Sequence, residues 1–163
     1  MPEQESSSRL QASALQHRLL QLSNAVGQAE AAHLANAAVE QSTALAERYR
    51  AVRPAWFHNV LVVVGLRERG LCYDWATDLF LHLHALRLKS LKLHLAVAHL
   101  DTIREHNAIV VTARGQAFAD GIVLDAWRDS GRLYWSAIAA DEYPWQPLPR
   151  DAVPPELAKF FLE

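Results

Sequence analysis

The period of the hydrophobic pattern changes once along this chain, near residue 90, and that change narrows the folds open to it. Before it, apolar residues recur at helical spacing: Leu15, Leu19, Leu22 and Val26 in one stretch, Trp75, Leu79, Leu83 and Leu86 in another. After it, Leu91-Lys92-Leu93-His94-Leu95-Ala96-Val97 alternates with period two, as do parts of 107–112, 121–126 and 131–138. The turn signals Arg114-Gly115-Gln116, Ala119-Asp120-Gly121 and Asp129-Ser130-Gly131 separate these runs. Short turns join antiparallel neighbours, so the pattern predicts an α+β class: N-terminal helices followed by an antiparallel sheet.

With 51% hydrophobic and 21% charged residues, 163 residues suffice for one domain with a real core. Residues 1–8 are polar and, with Ser6-Ser7-Ser8, read as a disordered tail or a helix cap. Residues 9–53 are rich in alanine, leucine and glutamine and broken only by Gly27, which predicts an N-terminal helical segment of one long helix or two. The alanine-dominated half, 29–46, buries little area per residue, so it packs closely on a helix of its own domain or on a second chain, as in a homodimer. Residues 54–163 form the remaining core. Pro54 suits the first turn of a helix with Trp56, Val60, Val63 and Val64 on one face; the valines also suit a strand, but His58 and Asn59 break a period of two. The proline-rich run 143–149 is expected to lie extended over the sheet, and Pro154-Pro155-Glu156 to start a last short helix.

The cysteine count then points to chemistry. Cys72 is the only cysteine, and it opens the run Leu71-Cys72-Tyr73-Asp74-Trp75-Ala76-Thr77-Asp78-Leu79-Phe80, expected to be helical to about Leu86. A helix N-terminus presents unpaired N–H groups and the positive end of its dipole, which favours a thiolate. Downstream, His106 opens the apolar run 108–111 and Asp125 closes the run 121–124. A nucleophilic cysteine needs an imidazole to take its proton, and the imidazole needs a carboxylate to orient it. The spacing allows two adjacent antiparallel strands to bring His106 and Asp125 side by side, with the helix start packed against them. Cys72 is equally compatible with a small buried hydrophobe, and Asp125 with a turn cap.

Three motifs carry a resemblance: Gly70-Leu71-Cys72-Tyr73-Asp74-Trp75-Ala76, Glu105-His106-Asn107-Ala108-Ile109-Val110-Val111 and Ile122-Val123-Leu124-Asp125-Ala126-Trp127. In this order they resemble the papain-like and transglutaminase-like thiol enzymes, in particular the compact transglutaminase-like and bacterial papain-like branches, over residues 54–140. The resemblance implies a papain-like or transglutaminase-like core over 54–163, with Cys72 as nucleophile, His106 as general base and acid and Asp125 as the residue that orients it. Papain-like peptidases also carry an oxyanion-stabilising glutamine before the cysteine, whereas 65–70 reads Gly-Leu-Arg-Glu-Arg-Gly. The nearest upstream side-chain amide is Asn59, which could join the Cys72 N–H in that role, and Trp127 could wall the site against water.

The implied reaction is thioester-mediated acyl transfer on a peptide or amide-bearing substrate: hydrolysis as a cysteine peptidase or amidase, or amine transfer. The alternative is a non-catalytic interaction module on the same fold. A net charge of −2 without a basic run argues against nucleic acid. His82, His84, His94, His99 and His106 lack metal-ligand spacing, so neither a metal nor another cofactor is expected. No window nears the length of a membrane span. One thiol leaves the compartment open, cytoplasmic or exported, because Met1, the only methionine, could stand where an anchor was removed.

Overall fold

The computed structural model describes residues 2–65 and 71–161. Among the described residues, four α-helices precede the sheet: α1 (Pro2–Leu20), α2 (Gln28–Arg48), α3 (Ala55–Val63) and α4 (Cys72–His84). Five strands follow: β1 (Leu91–Ala98), β2 (His106–Ala113), β3 (Ile122–Asp125), β4 (Tyr134–Ala137) and β5 (Gln146–Pro147). They form one sheet in the order β4-β3-β2-β1-β5, with every neighbouring pair antiparallel. The α+β class predicted from the change of period is the class observed.

The alternation along β2 divides the interior in two. Ile109, Val111 and Ala113 join the larger core with Leu34 and Val39 of α2 and Trp75, Leu79 and Leu83 of α4. Ala108 and Val110 point the other way, into a smaller cluster with Val123 and Trp145, against which Phe118, Ile138 and Tyr143 pack. Helices therefore cover one face of the sheet, and short irregular segments cover the other.

The N-terminal segment is two helices. Residues 21–27 break it, and Val26, expected in the helical stripe, is buried in that break. The alanine face of α2 meets its own chain: Ala31, Ala35 and Ala38 are buried, and α2 packs on α1 and α4. Of the two readings of the alanine run, the helix lying across its own domain is the one the fold uses. Residues 2–8 belong to α1 rather than to a disordered tail, with Glu3 and Glu5 in the first turn, where they complement the dipole. They are nevertheless almost wholly solvent-facing.

Three further expectations need adjustment. The stripe of α4 ends at Leu83, since the helix stops at His84 and Leu86 is exposed. The helix α3 forms after Pro54 as expected, but Trp56, Val60, Val63 and Val64 face solvent and it is Ala55 and His58 that are buried. The run after Tyr143 does not merely cross the sheet. Gln146 and Pro147 pair with Val97 and Ala96, placing a proline on an edge, where its missing N–H costs no ladder bond. Gly131, at φ +102°, lets the β3–β4 connection approach α2, since a Cβ there would lie 2.3 Å from that of Ala46.

A carboxylate ties the helices to the sheet. Both oxygens of Glu30 accept from the Lys89 N–H, and Oε1 also accepts from Ser90 and Leu91 at 2.9 and 2.8 Å. Burial raises its proton affinity, but these bonds outweigh that and hold its pKa below the usual carboxylate range. Glu30→Gln removes the charge that strengthens them, so unfolding in urea should show a loss of about 2 kcal/mol at pH 7. Because the folded pKa is the lower one, the difference from wild type should be present above the unfolded value and vanish as pH falls through the folded one. A difference independent of pH would assign the loss to packing instead.

Candidate active site

The start of α4 is fixed locally. Leu71 is extended, and its N–H donates to the Asp74 carboxylate at 3.1 Å, closing the first turn back on itself. The first N–H groups of the helix, that of Cys72 among them, have no acceptor within the helix. Cys72 is half-buried there. Its sulfur lies 3.8 Å from the Glu105 carbonyl oxygen and 3.8 Å from Asn107 Nδ2, the two residues flanking His106. The thiol is thus joined to the start of β2.

Strand register brings the other two groups together. Ile109, Val110 and Val111 pair with Leu124, Val123 and Ile122. Continuing that register sets Asp125 opposite Ala108, two residues along from His106 and on the same face. The His106 Nε2 and Asp125 Oδ2 atoms are 2.6 Å apart, with both side chains buried. Burial alone would pull the imidazole's pKa down, but the Asp125 charge, its hydrogen bond and the adjacent Cys72 outweigh it and push it up to about 9. With Nε2 committed to Asp125, the buried Nδ1 has no hydrogen-bond partner among the described residues.

Aromatic rings enclose this pair. Trp127, Tyr143 and Trp145 stand 4.6, 5.0 and 5.4 Å from the His106 ring, keeping water from the Nε2–Asp125 bond. Trp127 Nε1 donates to Asn59 Oδ1 at 3.0 Å, which orients the amide. Asn59, Cys72, His106 and Trp127 all line one cleft of about 490 Å³, whose rim carries Trp56, Ile103, Arg104 and Glu142. A hollow of similar volume, about 490 Å³, at the far end of α4 is lined by Phe80, Arg87, Lys92 and Arg114 among others and holds neither a thiol nor a carboxylate among the described residues.

All five residues singled out in the sequence thus meet at one cleft: Cys72, His106 and Trp127 at its wall with Asn59, and Asp125 behind His106. Residues 66–70, where the missing glutamine and Gly70 of the first motif fall, lie outside the described residues. The sequence reading passed over Asn107, whose only signal was an amide directly after the histidine. It also passed over Arg128, Asp141 and Trp145. Arg128 Nε donates to Asp125 Oδ2 at 3.0 Å, and its two terminal nitrogens donate to Asp141 at 2.9 and 2.8 Å. Asp141 Oδ2 also accepts from Trp145 Nε1 at 2.7 Å. Burial works against the Arg128 charge, but the two carboxylates hold its pKa above the usual value, while Arg128 and Trp145 hold that of Asp141 below its own.

No family model, curated protein or solved structure matches the chain. Among the described residues, no helix is long and apolar enough to cross a membrane.

Proposed function

We propose that this protein is a thiol-dependent acyl-transfer enzyme, a cysteine peptidase or amidase or a transglutaminase-like transferase, with a papain-like or transglutaminase-like core and Cys72, His106 and Asp125 as its triad. The observation that carries the reading is the buried His106–Asp125 pair, with one ring nitrogen uncommitted, beside a half-buried thiol in a cleft. Cys72 Sγ, its proton already passed to His106 Nδ1, attacks the substrate carbonyl carbon as the thiolate. The tetrahedral oxyanion accepts from the Cys72 N–H and the Asn59 amide. The carbon–nitrogen bond breaks as His106 returns the proton to the leaving amine, giving a thioester. Water or a second amine then attacks the thioester, giving its proton to His106, and the thiol leaves with that proton.

The cleft suits a peptide or other amide-bearing substrate, since its rim offers Trp56 and Ile103 to apolar groups and Arg104 and Glu142 to polar ones. A pairing of two copies through the N-terminal helices would use their outer face, where Leu10 is exposed, because the alanine face is filled. One observation favours a non-catalytic interaction module instead: the exposed apolar face of α3, with Trp56, Val60, Val63 and Val64.

Mass spectrometry of the intact protein separates the two. Incubation with activated acyl esters and with peptide pools should add one acyl group to Cys72, lost on exposure to water or a primary amine, and Cys72→Ala should acquire none. Absence of any adduct from every donor, or an adduct that Cys72→Ala retains, would leave the interaction module ahead.

A further inference from the structure

Arg128 stands where two separate parts of the site meet. On one side its Nε shares Asp125 Oδ2 with His106, while Asp125 Oδ1 accepts from the backbone N–H groups of Trp127 and Arg128, both at 3.1 Å. On the other side its terminal nitrogens grip both oxygens of Asp141. Asp141 begins the stretch 141–145, whose Tyr143 and Trp145 rings lie against His106. The guanidinium is held between the Tyr134 ring at 3.8 Å and the Tyr143 ring at 4.6 Å, which restricts its own movement.

We propose that Arg128 is a positioning residue for the reaction: its planar fork fixes together the carboxylate that orients His106 and the aromatic segment that closes over it. The inference rests on the acyl-transfer reading. Without the fork, Asp125 Oδ2 would keep only His106, and the 141–145 stretch would lose its side-chain tie to Asp125, keeping only β5 and the packing of Trp145 to hold it on the sheet. A lysine restores the charge but not three nitrogens in one plane, so the role is one of shape as well as charge.

The test uses the full-length chain and the iodoacetamide alkylation rate of its single thiol against pH, beside NMR titration of the His106 ring. Arg128→Gln should slow alkylation at pH 7 by about tenfold or more and displace the His106 midpoint from about 9, as Asp125 ceases to hold one orientation and no longer shares its charge with the guanidinium. Arg128→Lys should resemble Arg128→Gln. Asp141→Asn, which leaves the Arg128–Asp125 contact in place, should give a smaller change in the same direction, and combined with Arg128→Lys should add little further. Folding of each variant is checked by its thermal transition. Should Arg128→Gln prove unstable, Asp141→Asn alone decides. Folded variants with the wild-type profile and midpoint would overturn the proposal, and full rescue by Arg128→Lys would reduce Arg128 to a charge. His106→Ala separates the two levels: if it too leaves alkylation unchanged, the triad reading falls and this proposal with it. If it alters alkylation while the Arg128 and Asp141 variants do not, only this proposal falls.

Discussion

Asp125→Asn is expected to destabilise the folded protein by about 3 kcal/mol near pH 6, a loss typical of breaking a buried ion pair, and by clearly less above pH 9. The His106 pKa is about 9 in the folded protein against an ordinary value near 6.5. A raised folded value means that the pairing contributes its stability in full below pH 6.5 and loses it as pH rises through about 9. Asparagine keeps the shape and an accepting oxygen but removes the charge that outweighs burial, so the variant's His106 midpoint should fall well below 9. Part of the destabilisation should persist at high pH, because Arg128 stays charged and has lost one carboxylate. Urea unfolding from pH 5 to 10, with wild type alongside, checks this. A stability gap that does not change with pH would show that Asp125 holds the loop and not the imidazolium.

Removing residues 1–50 should abolish cooperative folding. Leu15, Leu19, Leu34 and Leu45 are almost fully buried, and Val39 and Tyr49 nearly so. At about 1.5–3 kcal/mol for each large side chain, their loss alone reaches the 5–15 kcal/mol that usually separates folded from unfolded chains. The deletion also strips α2 from Trp75, Leu79 and Leu83 on α4, the helix that presents Cys72. The fragment should bind an apolar dye and show no thermal transition, whereas deleting 1–8 should change little. A soluble fragment from Pro54 that melts cooperatively would make the N-terminal helices an appendage.

Local pattern made much of this molecule legible. Period and turn residues sufficed for α4 and for β1 to β4, because each is decided by neighbours in the chain. His106 and Asp125 could be paired from sequence because one local connection, residues 114–121, joins their strands. What stayed hidden depends on paths through space. Arg128 and Asp141 meet only because the chain after β4 turns back across the sheet, and no short-range spacing encodes that. An apolar stripe on α3 signals a helix without saying which side meets water, and there the outward side carries Trp56 and the valines. The polar start reads as a tail by composition, yet its alanine-, leucine- and glutamine-rich continuation lets the helix extend back to Pro2.

The two-residue strand β5 has a consequence for how copies of this molecule meet. Without it, β1 would be the outermost strand on its side, presenting a row of free backbone groups that another chain could extend. Gln146 and Pro147 cover Val97 and Ala96, and the Leu148 N–H takes the Leu95 carbonyl. At the other end the Leu91 N–H is taken by Glu30 and its carbonyl by Arg114. Only the stretch from Lys92 to His94 stays open, and it carries an exposed lysine. The outer row of β1 is thus too short and too charged to seed stacking of sheet upon sheet edge, so that flank favours separate molecules over fibrils.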